Sequence, residues 1–168
     1  MKFLKYDREI AVAYAVKWAK RRNPSYYDFS KLGGDCTNFV SQCIYAGTRE
    51  MNFTPILGWY YRSANNRSAS WTDVDYLYNF LTKNIVLNGV GNGSGPFAEE
   101  VSLSNLSVGD VVQLAYNQTD YTHSLIVIDF KGKVPLVAAH SVDALYKPLT
   151  AYPHPHKRYL HLLGARSG

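Results

Sequence analysis

Apolar residues recur at three- and four-residue spacings in the first half of the chain. In the second half they alternate or run together, so helices are predicted first and strands after them. From Asp7 to Arg22, Ile10, Ala11, Tyr14, Ala15 and Trp18 share one face; Asp7 caps this helix and Asn23-Pro24 ends it. A tyrosine-rich loop, 25–32, leads to Gly33-Gly34. There Asp35 is the predicted N-cap of a second helix, Cys36 its first residue, Phe39, Val40, Cys43, Ile44 and Ala46 its buried face, and Gly47 its stop. A long connection, 48–71, has little periodicity. Thr72 or Asp73 then caps a third helix to about Lys83, with Val74, Leu77, Tyr78 and Leu81 facing inward. Residues 88–96 are Gly-rich and predict a loop. Strands are predicted over 111–114, 124–130, 134–139 and 159–163, with Pro135 marking an edge or a bulge. This order gives an α+β fold, N-terminal helices packed on a C-terminal antiparallel sheet.

The chemistry gathers at the second helix. A thiol at a helix N-terminus lies near the positive end of the macrodipole, which favours the nucleophilic thiolate. Cys43 lies on the core face of the same helix and reads as a buried packing residue. Seven residues of helix separate the two sulfurs' Cα atoms by roughly 10 Å, beyond the roughly 7 Å limit for a disulfide. A nucleophilic cysteine needs a base and a group that orients it. If Lys131 and Gly132 form the hairpin turn, Phe130 faces Lys133, Ser124 faces Ala139, and His123 faces His140 on the same side of the sheet. A bulge at Pro135 shifts this register by one. His123 is then the base and His140 the orienting group, with Asp143 and Asp120 as rival orienters and Asp110 as a turn former. The Cys36 N–H offers one oxyanion donor. The polar neighbours Asp35, Asn38 and Gln42 are candidates for a second donor or an orienting role.

Composition adds limits. The chain has 168 residues, 46% hydrophobic, which predicts one folded domain over 1–168. No apolar run reaches membrane-span length, and the first residues lack the apolar core of a signal peptide. The chain could therefore be cytosolic, a mature product, or a domain of a longer exported protein. The net charge of +5 includes a cluster at Lys17, Lys20, Arg21 and Arg22. This reads as the solvated C-terminal end of a helix rather than a nucleic-acid site. Trp59, Tyr60, Tyr61 and Trp71 concentrate aromatic surface in the long connection and form a candidate substrate groove. His154 and His156 in the tail lack the further ligands a metal requires, so no metal and no cofactor are expected.

Gly34-Asp35-Cys36-Thr37-Asn38-Phe39-Val40-Ser41-Gln42 closely resembles the signature of the bacterial putative amidase domain family, which is related to the NlpC-like and CHAP-like cysteine peptidases. Similar likenesses run through Ala13-Tyr14-Ala15, 23–27, Ser70-Trp71-Thr72, 109–112, Thr122-His123-Ser124, and Ala139-His140-Ser141 with Asp143. The resemblance implies a papain-like fold and a Cys–His amide hydrolase, with Cys36, His123 and His140 at the three catalytic positions. It also implies a substrate of the peptidoglycan stem-peptide kind. A monomer is expected. A wall-binding module without catalysis and an acyltransferase on the same fold are the alternative readings.

Overall fold

A computed structural model describes residues 1–84 and 93–168. The chain opens with β1 (Phe3–Leu4) and α1 (Arg8–Trp18), followed by α2 (Cys36–Thr48). A small hairpin, β2 (Tyr61–Ser63) and β3 (Asn66–Arg67), leads to a short helix α3 (Ala69–Thr72) and to α4 (Val74–Lys83). The rest is strand: β4 (Gly95–Val101), β5 (Val111–Ala115), β6 (Tyr121–Lys131), β7 (Val134–Ala139), β8 (Ala144–Pro148) and β9 (His156–Arg166). Among the described residues all the strand pairings are antiparallel, and the main sheet runs β1-β9-β5-β6-β7-β8. Leu160 pairs with both Val111 and Glu100, so β4 lies along the opposite edge of β9 from β5.

Alternation along β5 and β6 divides the interior in two. Val111, Ile126 and Ile128 point toward α1, α2 and α4 and join Phe39, Val40, Ile44, Leu77 and Leu81 in one cluster. Val112, Leu114, Leu125 and Val127 point to the other face, where Leu106, Leu149 and Tyr152 close over them.

Several elements depart from the pattern-based expectation, each for a tertiary reason. The first helix stops at Trp18 rather than Arg22; the Trp18 carbonyl accepts from Arg21 N (3.2 Å) and lies 2.8 Å from His140 Nε2. Gly47 does not stop α2. It lies inside the helix because the Tyr6 ring packs where a side chain would be: a Cβ there would meet Tyr6 Cε1 at 2.6 Å. The helix ends instead at Arg49, in the left-handed region with φ 57°, its N–H donating to Tyr45 O. The predicted loop 88–96 falls partly outside the described residues, but Gly95 and Pro96 open β4. Edge placement makes this possible, since Pro96 lacks only a ladder donor. β8 carries no alternation strong enough to have been read, and β9 extends the predicted last strand at both ends, taking in His156.

Trp59 and Trp71 do not line a surface groove. Both are fully buried with ring centroids 4.6 Å apart, and their Nε1 groups donate to Ser41 Oγ and Asn38 Oδ1. Their indoles form the core between α2 and α4. Tyr60 and Tyr61 are half-buried at its rim, Tyr61 packing on Tyr26 and Trp71.

Candidate active site

Cys36 opens α2 as its spacing predicts, but Asp35 does not cap the helix. Its Oδ1 accepts from Phe29 N (2.8 Å) and Asn38 Nδ2 (2.8 Å), and its Oδ2 accepts from His140 Nδ1 (2.6 Å). The first-turn N–H groups of α2 are therefore left without a side-chain cap. The Asp35 N–H donates to Ser141 Oγ (2.6 Å), which ties the helix start to the end of β7.

Where the sulfur sits follows from strand geometry. Val127 N–H and C=O bond to Asp110 and Gly109 on the β5 side, so by alternation the N–H of Ser124 points the other way, toward β7. The β6–β7 ladder reaches only to Ile126 opposite Ala138, which leaves a notch beyond it. Cys36 Sγ lies beside that notch, near enough to the Ser124 N–H for that group to favour the thiolate, and 3.8 Å from Thr37 Oγ1. Burial pushes the thiol up from its ordinary value, against the opposing pull of these two donors. Burial thus works against the thiolate that the helix position favours. Cys43, wholly buried in the core, is pushed up further.

The two histidines do not face one another. The hairpin turn lies at Gly132-Lys133, with Lys131 opposite Val134, and an irregularity between Val127 and Asp129 shifts the ladder again. Continued from Ile126 opposite Ala138, this register puts His140 level with Ser124 and Ser141 level with His123. A slip of one residue flips a side chain to the other face. His140 consequently lies on the helix side, stacked on Phe39 at 4.1 Å, while His123 lies on the Tyr152 side with ring centroids 6.1 Å apart.

Their environments differ accordingly. His140 is 1% exposed. Its Nδ1 donates to Asp35, and its Nε2 stands 2.8 Å from Trp18 O and 3.2 Å from Arg22 Nη1. Neither nitrogen is free for Cys36 or for His123, so the expected role of His140 as orienter of His123 is not what the contacts give. His123 has no hydrogen bond among the described residues. Burial, with His154 and Lys147 nearby, lowers it to about 4, so its imidazole is neutral at neutral pH. No hydrogen bond joins Cys36 to His123 among the described residues; such bonds commonly tighten only when substrate is bound. Sγ is linked to the residue that follows His123 through Thr37 Oγ1, which lies 2.9 Å from Ser124 Oγ.

The other candidates are engaged elsewhere. Asp143 holds Arg22 through two bonds of 3.0 and 2.9 Å and does not touch His123. Asn38 has Nδ2 committed to Tyr27 O and Asp35, and Oδ1 to Trp71, which leaves nothing to donate to an oxyanion. Gln42 lies deeper in α2 and accepts from Tyr14 on α1 at 2.5 Å. Asp110 proves to be more than a turn former: fully buried, it accepts from Ser107 N, Leu162 N, Arg8 and His161. Pattern reading also passed over Thr37, Ser124 and Gln113. Each is a buried polar residue, and Gln113 and Ser124 interrupt apolar strands, which was the available signal.

Residues 5–163 match the family described as the putative amidase domain. The chain belongs to that family. It is also 35% identical over 164 residues to the uncharacterized protein YhbB of Bacillus subtilis (strain 168). That match covers 92% of this chain and 49% of YhbB, so the chain spans about half the length of this relative. No solved structure matches the chain. The family's description, an amidase domain, points to hydrolysis of an amide bond.

Proposed function

We propose that this chain is a cysteine-dependent amide hydrolase of papain-like arrangement, with Cys36 as nucleophile and His123 as base. The observation that carries the reading is the head of α2: Cys36 is its first residue, its sulfur 3.8 Å from Thr37 Oγ1, which lies 2.9 Å from the hydroxyl of Ser124, one residue from His123. The resting pair is a neutral thiol and a neutral imidazole. As the sulfur attacks the substrate carbonyl, the thiol proton passes to His123 and a C–S bond forms. The carbonyl oxygen becomes an oxyanion, received by the uncapped N–H groups of the first turn of α2. Collapse expels the amine, which takes the proton from His123. Water then gives a proton to His123, attacks the thioester, and releases the acid as the thiol is restored. Asp35 and His140 hold the helix start against β7 so that the sulfur stays beside the notch.

The amide bond is the substrate class that the family description supports, and stem-peptide amides of bacterial peptidoglycan are the substrate we propose. The test is digestion of purified peptidoglycan with mass spectrometry of the fragments, run beside Cys36→Ala. New amine and carboxyl termini that need Cys36 are expected. Fragments released equally well by Cys36→Ala would overturn the cysteine mechanism, and an untouched polymer beside turnover of simple peptide amides would overturn the substrate.

A further inference from the structure

A line of buried polar groups runs from the sulfur to the protein surface. Cys36 Sγ lies 3.8 Å from Thr37 Oγ1; Thr37 Oγ1 lies 2.9 Å from Ser124 Oγ; Gln113 Nε2 lies 3.2 Å from Ser124 Oγ. Arg158 Nε donates to Gln113 Oε1 at 2.8 Å. Thr37, Ser124 and Gln113 are all 0% exposed.

The outer end sets the direction of the whole line. Arg158 can only donate. Its guanidinium is clamped between the Tyr78 and Tyr121 rings, 3.8 and 3.9 Å from their centroids, and bonds Asp75 at 2.8 Å. Gln113 must therefore present its oxygen to Arg158. Its Nε2 gives one proton to the Val74 carbonyl, which can only accept, and the other to Ser124 Oγ. Ser124 then has one proton to place and Thr37 as its acceptor. Were Thr37 to donate to Ser124 instead, the Ser124 proton would be buried without an acceptor among these contacts, which is costly. So Ser124 donates to Thr37, and the Thr37 proton is left for the sulfur.

We infer that Thr37 is a catalytic residue, the last donor of a one-way hydrogen-bond chain that delivers a proton-bearing hydroxyl to Cys36; the inference rests on the amide-hydrolase reading above. Ser124, Gln113 and Arg158 are positioning residues that act through it. A donor fixed in this sense stabilises the thiolate and offsets the burial that favours the thiol. It stays in place as charge builds on the sulfur during proton transfer to His123 and again as the thioester is hydrolysed.

The test is the pH dependence of Cys36 alkylation by iodoacetamide in the full chain, each cysteine being followed by peptide mass spectrometry. Thr37→Val is expected to move the midpoint up by about one pH unit, the size of one hydrogen bond to a charged group. Thr37→Ser should restore it. Ser124→Ala and Arg158→Met are expected to move it the same way by less, and they read the chain from its far end if Thr37→Val fails to fold. A midpoint unmoved by Thr37→Val, or moved equally by Thr37→Ser, overturns the inference. Amide turnover is measured on the same preparations. Wild-type turnover with an unmoved midpoint removes the hydrogen-bond chain alone; a moved midpoint with turnover that ignores Cys36 supports the chain and removes the hydrolase reading.

Discussion

His123 and His140 end neighbouring strands, yet they live in opposite conditions. His140 is enclosed by Phe39 and held at both nitrogens, by Asp35 on one side and by Trp18 O and Arg22 on the other. His123 is desolvated without a hydrogen bond among the described residues and is pushed down to about 4. The difference teaches that a histidine near a nucleophile is not thereby a base. An imidazole whose two nitrogens are committed braces structure; one left neutral and uncommitted can accept a proton.

That contrast can be broken by substitution. The largest expected effect is on turnover: Cys36→Ala abolishes it, and His123→Ala lowers it about a thousandfold, in the range of a lost general base. Amide hydrolysis rates measured on folded protein check this. His140→Gln, by contrast, is expected to leave most of the turnover in place. A His140→Gln loss as deep as that of His123→Ala, at unchanged melting temperature, would exchange the two roles.

Stability should show the converse order. His140→Ala leaves the Asp35 carboxylate buried with its strongest partner gone, and is expected to cost about 3 kcal/mol or more by denaturant unfolding. His123→Gln should cost less at neutral pH.

The pH dependence sharpens the comparison next. The folded value of His123, about 4, lies below an unfolded value of about 6.5. The unfolded chain therefore takes up that proton first. The stability linked to this group is complete above about pH 6.5, falls with pH, and is spent below about 4, a total of roughly 3 kcal/mol. Calorimetric melting at neutral and acid pH should show this loss in the wild type and a flatter dependence in His123→Gln. Equal slopes in the two proteins would argue against a neutral buried His123.

The smallest effect belongs to Asp143. Its pair with Arg22 is partly exposed, with side-chain exposures of 31% and 27%. Asp143→Asn is expected to cost less than about 1 kcal/mol and to leave turnover near the wild-type level. A severe loss of turnover would return Asp143 to the catalytic group.

Much of the framework was legible in the order of residues. Three-four spacing located α1, α2 and α4, and β-branched runs located β5, β6 and β7, because those patterns follow from local geometry. Cys36 at the head of α2 was legible for the same reason: glycines, an acidic residue and an apolar stripe adjoin it in the chain. Trp59 and Trp71 show the limit. Neither lies in a periodic apolar pattern, and only the distant Ser41 and Asn38, which satisfy both indole N–H groups, make it cheap to bury them. Asp35 shows it again. A residue with strong capping preference turned its carboxylate to His140, more than a hundred positions away, since a buried hydrogen bond to a carboxylate outweighs a helix cap.

By itself, then, the order of residues determined the three main helices, the strands β5 to β7 and which cysteine stands at a helix mouth. It could not determine which face each histidine takes, because one irregular residue in β6 reverses that face while leaving the apolar pattern intact. Nor could it determine which polar residues would be enclosed together beside the sulfur. Side-chain orientation at a strand end depends on register summed over the whole ladder, and hydrogen-bond partners depend on elements that meet only after folding.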